Sequence, residues 1–221
     1  SIAVRTGSRL TQLRLRRGRA EVSPEDLLQL HDEVGLIDAA FDRAEVLEHR
    51  SLSLRLDLGP DAPGGIVGWR ARHHAGIVDV DRPDNYDPAD FWEPVSARHG
   101  GIILNPDDFY ILATREAVTV PPDYAAEMVA YDTLVGEFRV HYAGFFDPGF
   151  GWHPDDRSVG SRGVLEVRSH DVPFLLEHEQ VIGRLRYERL TERPEKIYGT
   201  GIGSHYQGQG LKLAKQFKAP E

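Results

Sequence analysis

Glu166 is a candidate for proton transfer, because it lies inside the apolar run Val164-Leu165-Glu166-Val167. A carboxylate is costly to bury unless it has a partner, and a half-buried one can hold a raised proton affinity and move protons near neutral pH. Alternation with a period of two also places Arg162 and Arg168 on the face of Glu166. The same spacing therefore fits a solvated glutamate that pairs with two arginines, and both interpretations stay open.

Asp147 is a second candidate for catalysis, and it begins the tight-turn sequence Asp147-Pro148-Gly149. A turn aspartate usually bonds only the backbone amides beside it, so a purely structural role is the alternative. Residues 152–160 are polar and predict an extended hairpin tip between this turn and the strand of Glu166. The insertion leaves open how Asp147 and Glu166 are placed relative to each other.

The third chemical feature is the C-terminal stretch 197–210, in which five of fourteen residues are glycine. So many glycines do not fit a regular strand or helix, because each adds unfolded-state freedom and no packing side chain. Tyr198, Tyr206 and two glutamines along this backbone supply flat stacking faces and amide donors and acceptors. Such groups can hold a planar heterocycle, although a glycine-rich end is also typical of a frayed tail.

Taken in order, these segments resemble the dCTP deaminase and dUTPase superfamily. The turn motif spans residues 143–151, a Leu-Glu strand with Glu166 follows, and a Tyr-Gln-Gly-Gln tail comes last. The resemblance extends upstream to residues 104–114 and 120–126, and it covers most of residues 51–217. Each motif is weak alone, whereas the ordered set is fairly specific.

The resemblance implies roles for individual residues. Glu166 matches the deaminating glutamate of the family, and Asp147 matches an aspartate that orients water in the dUTPase branch. The substrate-binding residues that it implies are Thr133, Arg139, Ala143, Gly144, Tyr198, His205, Tyr206 and Gln209. It also implies dCTP as substrate, dUTP as product, Mg²⁺ bound through the substrate triphosphate, and a homo-oligomer of the trimer type.

The triphosphate site departs from the family pattern, which has Arg-Ser-Ser-x-x-Arg before the aspartate turn to pair hydroxyl and guanidinium groups with phosphate. This chain has Tyr131 and Asp132 there, and only Thr133 keeps a hydroxyl. Arg139 is a substitute cation or simply a surface charge, and His205 stands where a phosphate-binding lysine is usual. Either the triphosphate is bound differently, or a preceding repeat of the fold supplies its ligands.

Composition excludes several classes of protein. The 221 residues include no cysteine, which rules out disulfides and the thiolate-bound zinc of zinc deaminases. The ten histidines show no two-ligand helix spacing, so we expect no zinc and no protein-held metal. A formal net charge of −9 argues against a nucleic-acid partner. With no span-length apolar run and no signal peptide, the sequence predicts a soluble, cytoplasmic protein without a membrane partner.

The elements that must position these residues form a mainly β pattern. Leucines at every second position from Leu52 to Leu58 begin a series of short runs punctuated by Gly, Pro and Asp. Before them, Ser23, Pro24 and Gly35 mark the start and end of a helix, and a second helix is predicted over residues 38–48. The expected fold is a dUTPase-like β-clip or distorted barrel with an N-terminal helical connector.

Residues 2–15 align without gaps on residues 174–187, and we interpret this as an internal repeat whose first unit is mostly absent. The expected division is residues 1–20 as the last strand of that unit, 21–50 as the helical connector and 51–221 as the deaminase-like domain. A C-terminal part of a two-repeat protein would associate and show little activity alone. The apolar side chains that it would leave uncovered are Ile2, Val4, Leu10, Leu13 and Leu15.

Three functions follow from this pattern as hypotheses. The first is hydrolytic deamination of dCTP to dUTP and ammonia, with Glu166 as general base at cytosine C4. The second is dUTP or dCTP diphosphohydrolysis, alone or combined with deamination, because Ala143-Gly144 is more similar to the bifunctional branch. The third is a non-catalytic nucleotide-binding or scaffold repeat, which Tyr131, Asp132 and His205 favour.

Overall fold

The computed structural model describes residues 1–8, 13, 15–130, 138–141, 144–154, 160–169, 171–199, 201–202 and 210–219. The helices in this part of the chain are α1 (Pro24–Val34), α2 (Arg43–His49) and α3 (Pro88–Phe91), with a 3₁₀ turn at Pro63–Gly65. None of these helices is long and apolar enough to cross a membrane. The strands are β1 (Ile2–Ala3), β2 (Leu52–Arg55), β3 (Gly68–Ala71), β4 (Val78–Asp79), β5 (Trp92–Val95), β6 (Gly101–Leu104), β7 (Phe109–Val118), β8 (Tyr124–Ala130), β9 (Phe138–His141), β10 (Phe145–Phe146), β11 (Ser161–Ser169), β12 (Phe174–Glu177), β13 (Val181–Arg189), β14 (Ile197–Tyr198) and β15 (Gly201–Ile202).

Two sheets enclose the main core between their inner faces. One has four strands in the order β10-β8-β13-β2, and the other has five in the order β5-β3-β7-β11-β9. Buried side chains of both sheets, such as Leu185 and Leu165, belong to one apolar cluster. The mainly β prediction is confirmed. The expected barrel is not closed among the described strands, since the two large sheets are open and meet where Leu56 bridges to Thr114. The pairs β1-β4, β6-β12 and β14-β15 form three further sheets of two strands each.

Helix α1 forms where its sequence predicts. The Ser23 hydroxyl accepts a hydrogen bond from the Asp26 N–H at 3.1 Å, and Pro24 takes the first helical position. Gly35 ends the helix in the left-handed region, with a φ of 70°. The apolar stripe of α1 is buried against the core, so local capping and packing favour the same helix.

Helix α2 begins at Arg43, and the predicted start at Asp38 is wrong. The Asp38 carboxylate accepts a hydrogen bond from the Ala117 N–H at 2.9 Å, and Ile37 bridges to Val118. This segment is therefore used to pair with β7. The helix starts only after Asp42, whose carboxylate accepts from its own first turn.

Strand β2 is covered on both of its sides. The leucines at alternate positions from Leu52 to Leu58 are buried, as the alternation predicts, and Ser53 is buried as well. The Ser53 hydroxyl donates to the Glu45 carboxylate of α2 at 2.5 Å. Helix α2 thus covers the side that the alternation leaves for solvent.

The N-terminal residues contain one short strand in their described part. Residues 174–187 contain β12 and most of β13, whereas only Ile2–Ala3 form a strand within the described part of residues 2–15. Leu10 lies outside the described residues. Four other apolar side chains are exposed, with 88% of Leu15 accessible, and they are Ile2, Val4, Leu13 and Leu15. The repeat and the division into three segments stay predictions.

The Asp147 turn is a β-turn, in which the Phe150 N–H donates to the Asp147 carbonyl at 3.0 Å. Gly149 follows Pro148 with a φ of 94°, the left-handed value that a type II turn requires at this position. Two hydrogen bonds fix the turn beyond the end of β7. The Gly149 N–H donates to the Val120 carbonyl at 2.9 Å, and the Val120 N–H donates to the Phe150 carbonyl at 2.8 Å.

The carboxylate of Asp108, which is buried, holds the start of β7. It pairs with Nε2 of His73 at 2.7 Å and accepts from Asn105 at 3.3 Å and from the Tyr110 hydroxyl at 3.2 Å. Burial alone would raise the pKa of Asp108. These hydrogen bonds and the charge of Arg70 outweigh burial and hold the pKa below its usual value. The ionised carboxylate therefore stabilises the fold.

We expect Asp108→Asn to lower the free energy of unfolding by about 1–3 kcal/mol near neutral pH, the range for hydrogen bonds to a charged group. The folded pKa lies below the unfolded value of about 3.9, so the contribution of the carboxylate is complete above that value. It is lost as the pH falls through the folded pKa. Urea unfolding across this range should show the gap between wild type and variant shrinking in acid, and a gap independent of pH would contradict the prediction.

We expect Gly151→Ala to destabilise the protein by about 2 kcal/mol or more, because a side chain there strains the backbone. Gly151 has a φ of 64°, and an added Cβ would lie 2.1 Å from the Val118 carbonyl oxygen. Gly76→Ala is the control, since its Cβ would come no closer than 3.5 Å to the Phe91 ring. Urea unfolding compares the two variants, and similar losses would refute the role of Gly151.

Candidate functional site

Glu166 lies on the outer face of the five-stranded sheet. Strand β11 alternates between buried and more accessible positions, with Leu165 and Val167 buried and Glu166 exposed. The side chain of Glu166 is therefore exposed within this chain, whereas one of the two interpretations left open placed it in a half-buried environment. The run around Glu166 is apolar because its neighbours fill the inner side of the strand, not because Glu166 shares that environment.

Two arginines of β11 share the outer face, as the period-two pattern predicts. The Arg162 guanidinium pairs with the Asp57 carboxylate, which follows β2. The Arg168 guanidinium lies over the Phe109 ring, 4.9 Å from its centroid, in a cation–π arrangement. The arginine pairing that the alternative interpretation assigns to Glu166 stays a prediction.

The backbone register places Glu166 in a row across the sheet. Its partner on β7 is Ile111, which in turn pairs with Trp69 of β3, and its partner on β9 is His141. Arg139 is paired with Arg168, so its backbone lies two positions from that of His141. The predicted ligand Arg139 is thus on the strand next to that of Glu166.

Five of the predicted substrate-binding residues lie outside the described residues, and they are Thr133, Ala143, His205, Tyr206 and Gln209. Their roles stay predictions. Gly144 is described, lies exposed just before β10, and its carbonyl accepts from the Met128 N–H at 3.5 Å. Phe146 is buried against Phe150, with ring centroids 5.0 Å apart, so it forms the apolar base of the Asp147 turn.

Tyr198 is brought directly to the Asp147 turn. Its N–H donates to the Pro148 carbonyl at 2.7 Å, and its ring lies 5.4 Å from the Phe150 ring. The approach is close enough that a Cβ on Gly149 would lie 2.8 Å from the Tyr198 carbonyl oxygen. The glycine of the turn therefore leaves room for the first strand of the tail.

The other end of the tail packs on the face that carries Glu166. Leu213 and Phe217 are buried in a second apolar cluster with Trp69 and Ile111, and Val164 packs at its margin. Val164 is the neighbour of Glu166 on the outer face of β11. Residues 199–209 thus connect the Asp147 turn to the Glu166 face, and this stretch includes Tyr206 and Gln209.

An open cleft of about 940 Å³ adjoins the same face. Trp69 and Ala113 of the sheet, Arg162, and Gly210 and Leu211 after the tail all line it. The volume is within the range of small-ligand sites. The cleft is therefore large enough for a nucleotide-sized ligand.

Sequence reasoning missed two residues that control the strand of Glu166. Gly163 donates its N–H to the hydroxyl oxygen of Thr114 at 2.8 Å, at an irregularity in the pairing of β7 with β11. Thr114 is fully buried. A threonine inside an alternating run carries no signal of its own, because β-branched residues are common in strands.

Metal ligation has little support in this part of the chain. Among the described residues, no three His, Asp or Glu side chains come together in a group that could hold a metal ion. His73 contacts the buried Asp108, and His178 accepts from the Leu58 N–H at 3.1 Å through Nδ1. Both histidines thus take part in hydrogen bonds of the fold.

Comparisons with known proteins give the same family as the motifs. The family model for the 2′-deoxycytidine 5′-triphosphate deaminase C-terminal domain matches residues 23–217. A crystal structure of this deaminase from Agrobacterium tumefaciens is 51% identical, with a TM-score of 0.69 over 80% of this chain and 50% of that chain.

Curated relatives named "dCTP deaminase, dUMP-forming" match a shorter stretch. The protein from Beutenbergia cavernae is 35% identical over 111 residues, which are 48% of this chain and 53% of the relative. The protein from Halobacterium salinarum is 34% identical over 120 residues, or 52% and 56% of the two chains. The matches span about half the length of these relatives. The resemblance drawn from the motifs is confirmed, and the chain belongs to the dCTP deaminase family, as a match to its C-terminal domain.

Proposed function

We propose that this chain takes part in the hydrolytic deamination of dCTP. The observation that carries the proposal is the family match over residues 23–217, since this range includes the Asp147 turn and Glu166. The 51% identity to the Agrobacterium deaminase supports the same substrate. The reaction consumes one water and releases ammonia, and it leaves uracil in place of cytosine.

Glu166 is the general base in this proposal. Its carboxylate takes a proton from water as the water oxygen bonds to cytosine C4, and it returns that proton as the tetrahedral intermediate expels ammonia. Its exposed position on the outer face places the carboxylate at the surface from which substrate and water would approach. Leu165 and Val167 are fixed in the core on either side, so the backbone at Glu166 is held rigidly.

The tail and the Asp147 turn have complementary roles in the proposal. Tyr198 docks on the turn that carries Asp147, and Leu213 docks on the face that carries Glu166. The aromatic and amide groups of Tyr206 and Gln209 suit a planar base.

The triphosphate needs cationic ligands, and Arg139 on β9 is the nearest proposed one in the backbone register. Thr133 and His205 are further proposed ligands. Mg²⁺ accompanies the triphosphate as part of the substrate and neutralises its charge. We also propose that another polypeptide, either a second copy in a trimer or a preceding repeat of the fold, completes this site. Assays should therefore include the assembled protein.

We expect Glu166→Gln to lower kcat for ammonia release from dCTP by about 10²–10⁴-fold, the range for a lost general base. Binding of dCTP should change little, because glutamine keeps the shape of the side chain. Glu177→Gln is the matched control, an exposed glutamate on β12, and it should keep wild-type turnover. Full activity of the Glu166 variant would refute the assignment. Binding without turnover in the wild type would favour a scaffold repeat.

A second candidate function is the coupled formation of dUMP. The relatives from Beutenbergia cavernae and Halobacterium salinarum carry "dUMP-forming" in their names, and Ala143-Gly144 favours the same branch. In this case Asp147 orients a second water for attack on the triphosphate, and pyrophosphate leaves. The product would then be dUMP in place of the dUTP expected for deamination alone.

Product analysis separates these two functions. Deamination alone should yield dUTP and ammonia, whereas the coupled reaction should yield dUMP, ammonia and pyrophosphate in equal amounts. In the coupled case we expect Asp147→Asn to reduce pyrophosphate release by about tenfold or more, while ammonia release falls less. If the wild type releases no pyrophosphate from dCTP or dUTP, the coupled function is excluded.

A further inference from the structure

The pairing of β7 with β11 is interrupted just before Glu166. Arg162 is opposite Ala117, but Val164 is opposite Ala113. The single residue Gly163 therefore faces the three residues 114–116 of β7, so β7 contains a bulge with two extra residues. Beyond the bulge the register is regular, and Glu166 is opposite Ile111.

The Thr114 hydroxyl closes this bulge with two hydrogen bonds. It accepts from the Gly163 N–H at 2.8 Å and donates to the Glu116 carbonyl at 2.8 Å. The register shift lies between Arg162 and Val164, so these bonds form where the ladder is interrupted, and Thr114 is fully buried. An unpaired buried amide or carbonyl is costly, so the hydroxyl makes the bulge stable where a ladder cannot form.

Glu116 fixes the other side of the bulge. Its side chain is fully buried, and its carboxylate accepts from the Arg55 N–H at 2.7 Å and contacts the Arg55 guanidinium at 3.3 Å. Leu56 then bridges to Thr114, and the Asp57 N–H donates to the Ala113 carbonyl at 3.0 Å. Strand β2 thus anchors the bulge from the neighbouring sheet.

The bulge determines where Glu166 lies along β7. Without it, continuous pairing from Arg162 would put Glu166 opposite Ala113 instead of Ile111. A shift of two residues along a strand corresponds to about 7 Å, and it leaves each side chain on the same face of the sheet. Glu166 would still point outward, but it would be displaced relative to Trp69 and the other groups of its row.

From this geometry we infer that Thr114 is a positioning residue for Glu166. It acts through the Gly163 amide and sets the register of the strand that carries the base. The inference rests on the proposed deamination only for its effect on rate. The effect on the strand itself can be measured without substrate.

The test compares Thr114→Val with Thr114→Ser and with Ser51→Ala. Valine keeps the shape of threonine and removes the hydroxyl, whereas serine keeps the hydroxyl. Ser51 is a matched control, because it is also buried and its hydroxyl donates to the His49 carbonyl at 3.0 Å, at the start of β2. In Thr114→Val we expect amide exchange at Gly163 to accelerate by about tenfold, the scale of one lost hydrogen bond. Serine should restore protection.

The rate readout uses dCTP and the assembled protein. We expect Thr114→Val to lower kcat by about 10–100-fold with little change in KM, since a small misplacement of a catalytic group acts on the chemical step. Thr114→Ser should stay within about twofold of wild type, and Ser51→Ala should lose stability but not kcat. Equal kcat in Thr114→Val and Ser51→Ala would overturn the inference, as would failure of serine to rescue.

Two further outcomes are decisive. If the wild type does not turn over dCTP, the proposed function fails, and amide exchange alone decides the inference: unchanged protection at Gly163 in Thr114→Val overturns it. If Thr114→Val does not fold, Gly163→Ala replaces it. An added Cβ there would lie 3.2 Å from Cγ2 of Thr114, so the Thr114 side chain must shift by a few tenths of an ångström beside its hydrogen bond to residue 163. Faster amide exchange at position 163 together with wild-type kcat would also overturn the inference.

Discussion

The arrangement of this protein depends on how the chain satisfies its backbone where the two sheets meet. At that seam β7 cannot pair fully with β11, and Thr114 and Glu116 supply the missing hydrogen bonds. Buried backbone groups must be paired, so a seam of this kind exists only if side chains replace the ladder. Contacts at the same seam join the end of β2 to β7, beside the register shift between β7 and β11.

Sequence reasoning predicted the elements whose signals are local. The cap at Ser23, the glycine at the end of α1 and the alternation of β2 depend on neighbouring residues, and all three are present. It failed where distant strands compete for the same backbone. The start of α2 moved because Asp38 pairs with β7.

The candidate site was predictable only in part, because some of its features are local in sequence and others depend on tertiary contacts. The motifs identified Glu166, Asp147 and Tyr198 from their types and order, and the family match supports that order. The docking of Tyr198 on the Asp147 turn depends on a tertiary contact, and the spacing of residues along the sequence does not predict it. The sequence left the burial of Glu166 open, because a period of two cannot tell which side of an apolar strand faces a core and which faces solvent.

The exposure of Glu166 constrains how this site can work. A carboxylate that is exposed to water binds a proton only in acid. Desolvation or a nearby negative charge must raise its proton affinity before it can accept a proton effectively near neutral pH. The proposed substrate brings the flat face of its base and a polyanion, and the described residues Tyr198 and Leu213 lie at the Asp147 turn and at the Glu166 face. In the proposed reaction, a nucleotide bound at this face would raise the proton affinity of the carboxylate only while it is present, which would couple proton transfer to substrate binding. The strand register and the proposed substrate are then complementary, since the first fixes the position of the carboxylate and the second changes its environment.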